Sequence, residues 1–414
     1  MKTFFFIVLL FLKVSLAAQP QHQAKNLFVI TIDGLRWQEV FGGADKRIIS
    51  NPQFISDTTL AREMYDIPFT EDEERRKRLM PFLWSVIAHN GQLHGNRKLG
   101  NKVDVSNLYR ISYPGYNEIF SGYADPLVMS NESKNNRNEN LLEFLNKQSL
   151  YKNQVAVFAS WNVFPFILNR KRSNIPINAG YESYNENDTV FNILNRMQDS
   201  VYEKGTTRYD ALTFLHARQY IKKHHPKVVV LSLGETDEFA HKGQYDYYLQ
   251  QISNTDKMIS ELWYMLQTDS FYRDNSILMI TTDHGRGNKS SIWHSHSMLI
   301  RGSANTWIAM IGPGIKPLGE IKSQTQIYQK QFAATAAALI DQKYEAQGHP
   351  VAASFTIPQD VYQKQEQSYT LSTIGYNISS LAKIILMMLV TVALVRVLKR
   401  KPNYGNRKQW FQFK

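Results

Sequence analysis

An α/β fold, with a parallel-rich central sheet and helices on both faces, is what the sequence predicts. Three observations predict it. Short, nearly continuous apolar runs recur at residues 27–32, 155–159, 228–233, 277–280 and 307–311, as expected of strands buried on both faces. Between them lie longer segments of helical pattern, such as 209–223 and 247–266, and strand–helix–strand alternation at this spacing builds a parallel sheet. No internal repeat and no Pro/Gly/Ser-rich linker interrupts the chain before about residue 355, which leaves room for one large domain. Residues 45–80 are charged and mixed, and read as an insertion or helical excursion.

The 414 residues carry a net charge of +12. Seven basic residues and no acid fall after Val395, and Lys2 and Lys13 add two more at the start, leaving +3 for residues 19–395. The basic character therefore belongs to the ends, and a nucleic-acid-binding face on the main domain is not implied. The 43% hydrophobic and 12% aromatic content excludes a disordered chain. With no cysteine, disulfides, thiolate metal sites and cysteine nucleophiles are excluded as well.

Residues 1–18 have a short basic start, an apolar run and small residues up to Ala17 and Ala18, the pattern of a secretory signal cleaved there; an uncleaved anchor is the alternative. The main domain follows at 24–345, then a wrap-up segment and stalk at 346–373. Residues 374–398 read as a transmembrane helix: the apolar run 381–398 would reach about 27 Å as a helix, close to a bilayer core. Lys399, Arg400 and Lys401 follow directly, so the positive-inside bias puts the basic tail, 399–414, in the cytoplasm. The main domain is then expected outside the membrane, and the absence of cysteine fits a bacterial periplasm. The sequons at Asn131, Asn187, Asn288 and Asn377 matter only in a glycosylating host.

Ligands of open parallel sheets bind beyond the carboxyl ends of strands, and three predicted strands end in acids. Residues 29–32 run into Asp33-Gly34, residues 229–233 lead to Asp237, and residues 278–282 end in Asp283-His284-Gly285. One such acid is ordinarily a cap or turn residue; three at one rim, with histidines beside two of them, are not. Asp237 and His241 are four apart, so a helical turn would point both at one metal. His294 and His296 offer further imidazoles. Three carboxylates and three imidazoles suffice for two borderline metals such as zinc. His216, His224 and His225 lie away from any strand end and read as structural.

This order resembles the alkaline phosphatase superfamily: Asp33-Gly34, a serine before aromatic-Pro (Ser112-Tyr113-Pro114), Asp237-x-x-x-His241, Asp283-His284-Gly285, then His296. Its nucleotide pyrophosphatase/phosphodiesterase and phosphopentomutase/phosphoglycerate-mutase-like branches are the most similar, over roughly residues 24–340. The resemblance implies an alkaline-phosphatase-like fold and two divalent metal ions, zinc first and manganese as the alternative. One would be held by Asp237, His241 and His296. The other would be held by Asp33, Asp283, His284 and the oxygen of Ser112, the implied nucleophile. The family's histidine is usually followed by glycine, whereas Ser297 follows His296 here, so the choice between His294 and His296 stays open.

Pro114-Gly115 predicts a turn with a helix from about Asn117, whose free N–H groups suit an anion; a capping serine is the plain alternative for Ser112. Sulfatases of similar site need Ser-x-Pro-x-Arg, and Tyr116 stands at the arginine position. Asn135, Asn136 and Arg286 are candidates for the substrate phosphate. The expected function is a membrane-tethered, outward-facing hydrolase of small phosphoric esters acting through a phosphoserine. A phosphodiesterase or nucleotide pyrophosphatase is the alternative and would need an aromatic slot, for which Tyr113, Tyr116, Trp161 and Phe164 are available. A mutase-like enzyme and an inactive metal-stabilised scaffold are further options.

Overall fold

The computed structural model describes residues 24–65 and 72–345. The signal segment at 1–18, the stalk, the transmembrane helix expected at 374–398 and the basic tail lie outside the described residues. Among those described, no helix is long and apolar enough to cross a membrane.

Strands are numbered in chain order: β1 Asn26–Ile32, β2 Gly91–His94, β3 Asn101–Asp104, β4 Val155–Ala159, β5 Ile177–Ala179, β6 Val228–Leu233, β7 Ser276–Thr281, β8 Asn305–Thr306, β9 Ile308–Ile311, β10 Gly319–Glu320 and β11 Thr325–Tyr328. Among the described residues, one sheet has the order β10-β2-β9-β7-β1-β6-β4-β5 and a small one the order β11-β3-β8. The α/β expectation holds, with a difference at one side. Strands β7, β1, β6, β4 and β5 are mutually parallel. The run expected at 307–311 forms β9, which is antiparallel to both β7 and β2.

Strands β1, β6 and β7 are buried at every residue, because helices cover both faces of the sheet. The helices Asp210–His224 and Tyr245–Thr268 bear out the helical segments read near 209–223 and 247–266. Residues 45–80 contain the short helices Lys46–Ile49, Thr58–Tyr65 and Asp72–Leu79, which makes that stretch a helical excursion from the sheet. Trp293 closes one side of the core, its ring 4.8 Å from Tyr245 and 5.2 Å from Tyr248. This packing fixes the loop after β7, on which most of the candidate histidines stand.

Candidate metal centre and active site

The register levels the ends of three strands. Ile32 of β1 lies opposite Leu233 of β6, and Thr31 opposite Thr281 of β7. Asp33, the turn after Leu233 and Asp283 therefore leave the sheet along one edge. The Gly34 N–H donates to Asp283 Oδ1 at 3.0 Å, and the Thr236 hydroxyl donates to the Asp33 carbonyl at 2.6 Å. Gly34 has φ +60°, and a Cβ there would lie 2.7 Å from the Arg286 guanidinium and 2.8 Å from Asp237 Oδ1. The Asp33-Gly34 pair is thus dictated by close approach as well as by backbone conformation.

The helix Ser112–Ser121 points its first turn at this edge, and all ten of its residues are buried. It starts at Ser112, not near Asn117 as the Pro-Gly pair suggested. Pro114 fits because the first turn has no use for its missing N–H. Gly115 makes no turn; it lets the helix touch the β7 loop, where a Cβ would come within 2.3 Å of the Asp283 carbonyl oxygen. Ser112 Oγ lies 3.4 Å from Asp33 Oδ1 and 3.3 Å from His284 Nε2. Ile111 occupies the N-cap position with no side-chain cap bond, so Ser112 is not a capping serine. The Tyr113 N–H donates instead to Asn131 Oδ1 at 2.9 Å.

Two groups of side chains gather ligand atoms within 4.8 Å of one another: Asp33, Asp283 and His284, and Asp237, His284 and His296. His241, one helical turn after Asp237 on the helix Glu235–His241, brings Nε2 to 3.1 Å from Asp237 Oδ2 and 3.0 Å from His296 Nε2. Both ligand sets implied by the resemblance are thereby assembled, with His284 standing between them. Its ring stacks on His296 with centroids 3.8 Å apart. His296 enters the cluster, whereas His294 packs its ring 5.6 Å from Phe54 and gives its carbonyl to Arg286.

The electrostatics fit a cation pair. His284 Nδ1 faces the Gly285 carbonyl at 3.1 Å, and His296 Nδ1 faces the Arg110 carbonyl at 3.1 Å. A carbonyl only accepts, so both protons sit on Nδ1 and both Nε2 lone pairs face the cluster. Burial, reinforced for His296 by the neighbouring His284, lowers the pKa of both imidazoles and keeps them neutral. Burial first, and Asp283's charge second, pushes the Asp33 carboxyl up to about 7; burial does the same to Asp283, also to about 7. Asp283 Oδ2 is buried and accepts no hydrogen bond. Buried carboxylates short of partners are costly, and divalent cations bound among Asp33, Asp237, Asp283 and the bare Nε2 atoms would remove that cost. Carboxylate and imidazole donors with no thiolate suit zinc or manganese.

Several expected contacts take other roles. Arg286 is buried and spent on the protein: it donates to the Gly34 carbonyl at 3.0 Å and to the His294 carbonyl, and it ion-pairs with Asp237. It organises the loop and presents no free guanidinium to a phosphate. Asn136 is likewise buried, donating to Asn117 Oδ1 at 3.0 Å and accepting from the Asn138 N–H; Asn135 is exposed. Tyr113, Tyr116 and Phe164 are core residues and Trp161 is half-buried, so these four form no open aromatic slot. His216 is fully buried, His224 pairs with Glu186 at 2.8 Å and His225 with Asp269 at 3.2 Å, all in structural settings as read.

Three supporting roles escaped the sequence reading, which took Tyr116 only as an aromatic. The Tyr116 hydroxyl donates to Asp33 Oδ2 at 3.1 Å. Asn131, noticed only as a sequon, sits at the Ser112 helix start. Asp210 is buried and accepts the Gly234 N–H at 2.7 Å and the Glu235 N–H at 3.1 Å, anchoring the helix that carries Asp237 and His241.

A family model described as the metalloenzyme superfamily matches residues 124–338, just over half of the chain. The match takes in Asp237, His241, Asp283, His284 and His296, and begins after Asp33 and Ser112. No curated protein matches the sequence. Among solved structures, a quadruple mutant of the alkaline phosphatase PafA is similar over 81% of this chain and 98% of that one, with 10% identity and a TM-score of 0.53. A 2-O GAG sulfatase is similar over 78% of this chain and 72% of that one, with 13% identity and a TM-score of 0.50. At such identities the likeness is one of fold. The chain belongs to the metalloenzyme superfamily and has an alkaline-phosphatase-like α/β fold.

Proposed function

We propose that the protein is a membrane-tethered hydrolase of small phosphoric esters, facing outward from a bacterial inner membrane with its tail in the cytoplasm. The tether and the location rest on the sequence at the two ends. The chemistry rests on one observation: Ser112 Oγ, in the first turn of a buried helix, stands within 3.4 Å of Asp33 and 3.3 Å of His284 Nε2.

Asp33, Asp283 and His284 would hold one divalent metal, and Asp237, His241 and His296 the other. Bound there, the metals would supply positive charge that favours ionised Ser112 and stabilises charge on the transferring phosphoryl group. The protein's own part is positional. Gly115 lets the Ser112 helix seat against Asp283, and Tyr116 holds Asp33 from below. In the first turn the Tyr113 N–H goes to Asn131, Pro114 has none and the Gly115 N–H goes to the Ile111 carbonyl, so the Ser112 N–H is the one left to meet a phosphoryl oxygen, and Asn131 fixes that turn. In the first displacement the Oγ–P bond forms and the ester P–O bond breaks; the serine proton goes to solvent and the departing oxygen takes one up. Water then forms a new P–O bond, the P–Oγ bond breaks, and Ser112 regains its proton. The nucleotide diesterase alternative is less favoured, because three of the four aromatic residues it needed are buried in the core and Trp161 is half-buried.

The test is an acid quench of the full-length protein with a ³²P-labelled ester, followed by mapping of the labelled peptide. Label on the peptide containing Ser112, and net retention at a chiral phosphorus, are expected. Inversion, or near wild-type turnover by Ser112→Ala, would refute the covalent route.

A further inference from the structure

Three loops flank the candidate site, and each carries exposed apolar side chains within four residues of its site residue in the chain. Leu108 precedes Ser112 and is 48% exposed. Leu127 and Met129 precede Asn131 and are 58% and 54% exposed. Met298 and Leu299 follow His296 and are 51% and 88% exposed.

Hydrogen bonds stitch the loops into one rim. Arg110 donates to the Met298 carbonyl at 3.2 Å and offers its own carbonyl to His296 Nδ1. The Tyr109 hydroxyl donates to the Pro126 carbonyl, and Asn131 receives the Tyr113 N–H. Loop side chains of this size facing water at a site mouth mark a binding surface more than scattered exposure does. Beneath the cluster, Tyr116 and Arg286 are buried and fill the floor. An ester whose phosphate lies among Asp33, Ser112 and His296 therefore has to direct its organic group outward, across the rim.

Resting on the hydrolase assignment above, we propose that the substrate is an amphiphilic phosphate ester, whose alkyl or acyl chain lies on the rim formed by Leu108, Leu127, Met129, Met298 and Leu299. Its polar end occupies the candidate centre and its chain covers side chains that otherwise face water. A methylene laid on an open apolar surface buries only part of itself, so affinity should rise about twofold per methylene.

The test uses the full-length protein in detergent, loaded with metal, and the non-hydrolysable dianions methyl-, ethyl-, propyl- and butylphosphonate, which are short enough to stay in water. Calorimetry should give binding that tightens by close to tenfold from methyl to butyl. The rim variant Leu127→Ser/Met129→Ser/Leu299→Ser should flatten this slope. The control Val190→Ser/Ile193→Ser/Met197→Ser, on an exposed face of the helix Thr189–Asp199, should retain it. Equal affinities across the series, an unchanged slope in the rim variant, or no binding at all overturns the proposal. Self-association abolished by the rim variant, with a flat slope, would give the rim to a second copy of the chain and overturn it too. A labelled Ser112 obtained alongside any of these failures would leave the hydrolase assignment standing.

Discussion

Tyr116→Phe removes a single oxygen from beneath Asp33. The ring sits 4.7 Å from Phe164 and 6.5 Å from Phe120, and phenylalanine preserves both contacts. What disappears is the hydroxyl that donates to Asp33 Oδ2 at 3.1 Å and accepts from Ser232 Oγ at 3.4 Å. A hydrogen bond to a charged group contributes about 1.5–3 kcal/mol. Losing the outer partner of a metal-binding side chain typically weakens metal binding by about 10–100-fold, or about 1.4–2.7 kcal/mol at 1.36 kcal/mol per decade. The two figures agree, so the metal on the Asp33 side should bind about 10–100-fold more weakly while the Asp237 side changes little. Competition with a graded series of chelators, monitored by metal release from the full-length protein, would resolve the two affinities. Circular dichroism should show an unchanged fold. If Asp33→Ala loses the metal but Tyr116→Phe binds it within about twofold of wild type, the hydroxyl has no part in holding Asp33.

Asp210→Ala should cost about 3–5 kcal/mol in urea unfolding, because it removes the acceptor of the Gly234 and Glu235 N–H groups and of the Gln251 amide, and leaves the Ser160 hydroxyl with Thr213 alone. It should also weaken metal binding by Asp237 and His241, and a loss below 1 kcal/mol would contradict the anchoring role. Asn131→Ala should lower stability by about 1 kcal/mol, the worth of a helix cap, with kcat/KM falling at least as far because the Ser112 turn loosens. His216 is buried and its pKa is pushed down to about 4, by burial first and Arg208 second. The unfolded chain binds the proton from about pH 6.5 downward while the folded one stays neutral, so stability present above pH 6.5 is lost as pH falls toward 4. The loss should total about 3 kcal/mol, and His216→Phe should remove it from the pH profile of urea unfolding.

The strands most legible in the sequence were those buried on both faces, since residues 27–32 and 228–233 write their burial as unbroken apolar runs. Direction is not written in such a run, which is why β9 was expected to join a parallel sheet and lies antiparallel. Strands as short as β8 and β10, with two residues each, have no pattern to show. The candidate cluster was legible because acids directly after buried strands have few structural reasons to be there. Its supports were not. Asp210 caps a helix that begins 25 residues later in the chain, and Asn131 caps a helix that begins 19 residues earlier; neither spacing is a local signal. The surroundings of Arg286 and Asn136 were hidden for the opposite reason: the sequence displays a charge and an amide but not their burial, and both are engaged by neighbouring backbone and side chains.

The most direct measurement of the central claim is the metal content of the purified full-length protein, by elemental analysis, for wild type, Asp33→Ala and Asp237→Ala. Close to two divalent ions per chain are expected in wild type, falling to about one in each variant because each removes a carboxylate from one ligand set. A metal content near zero in wild-type protein that still turns over phosphoric esters in chelator would contradict the two-metal site, as would two ions retained by both variants.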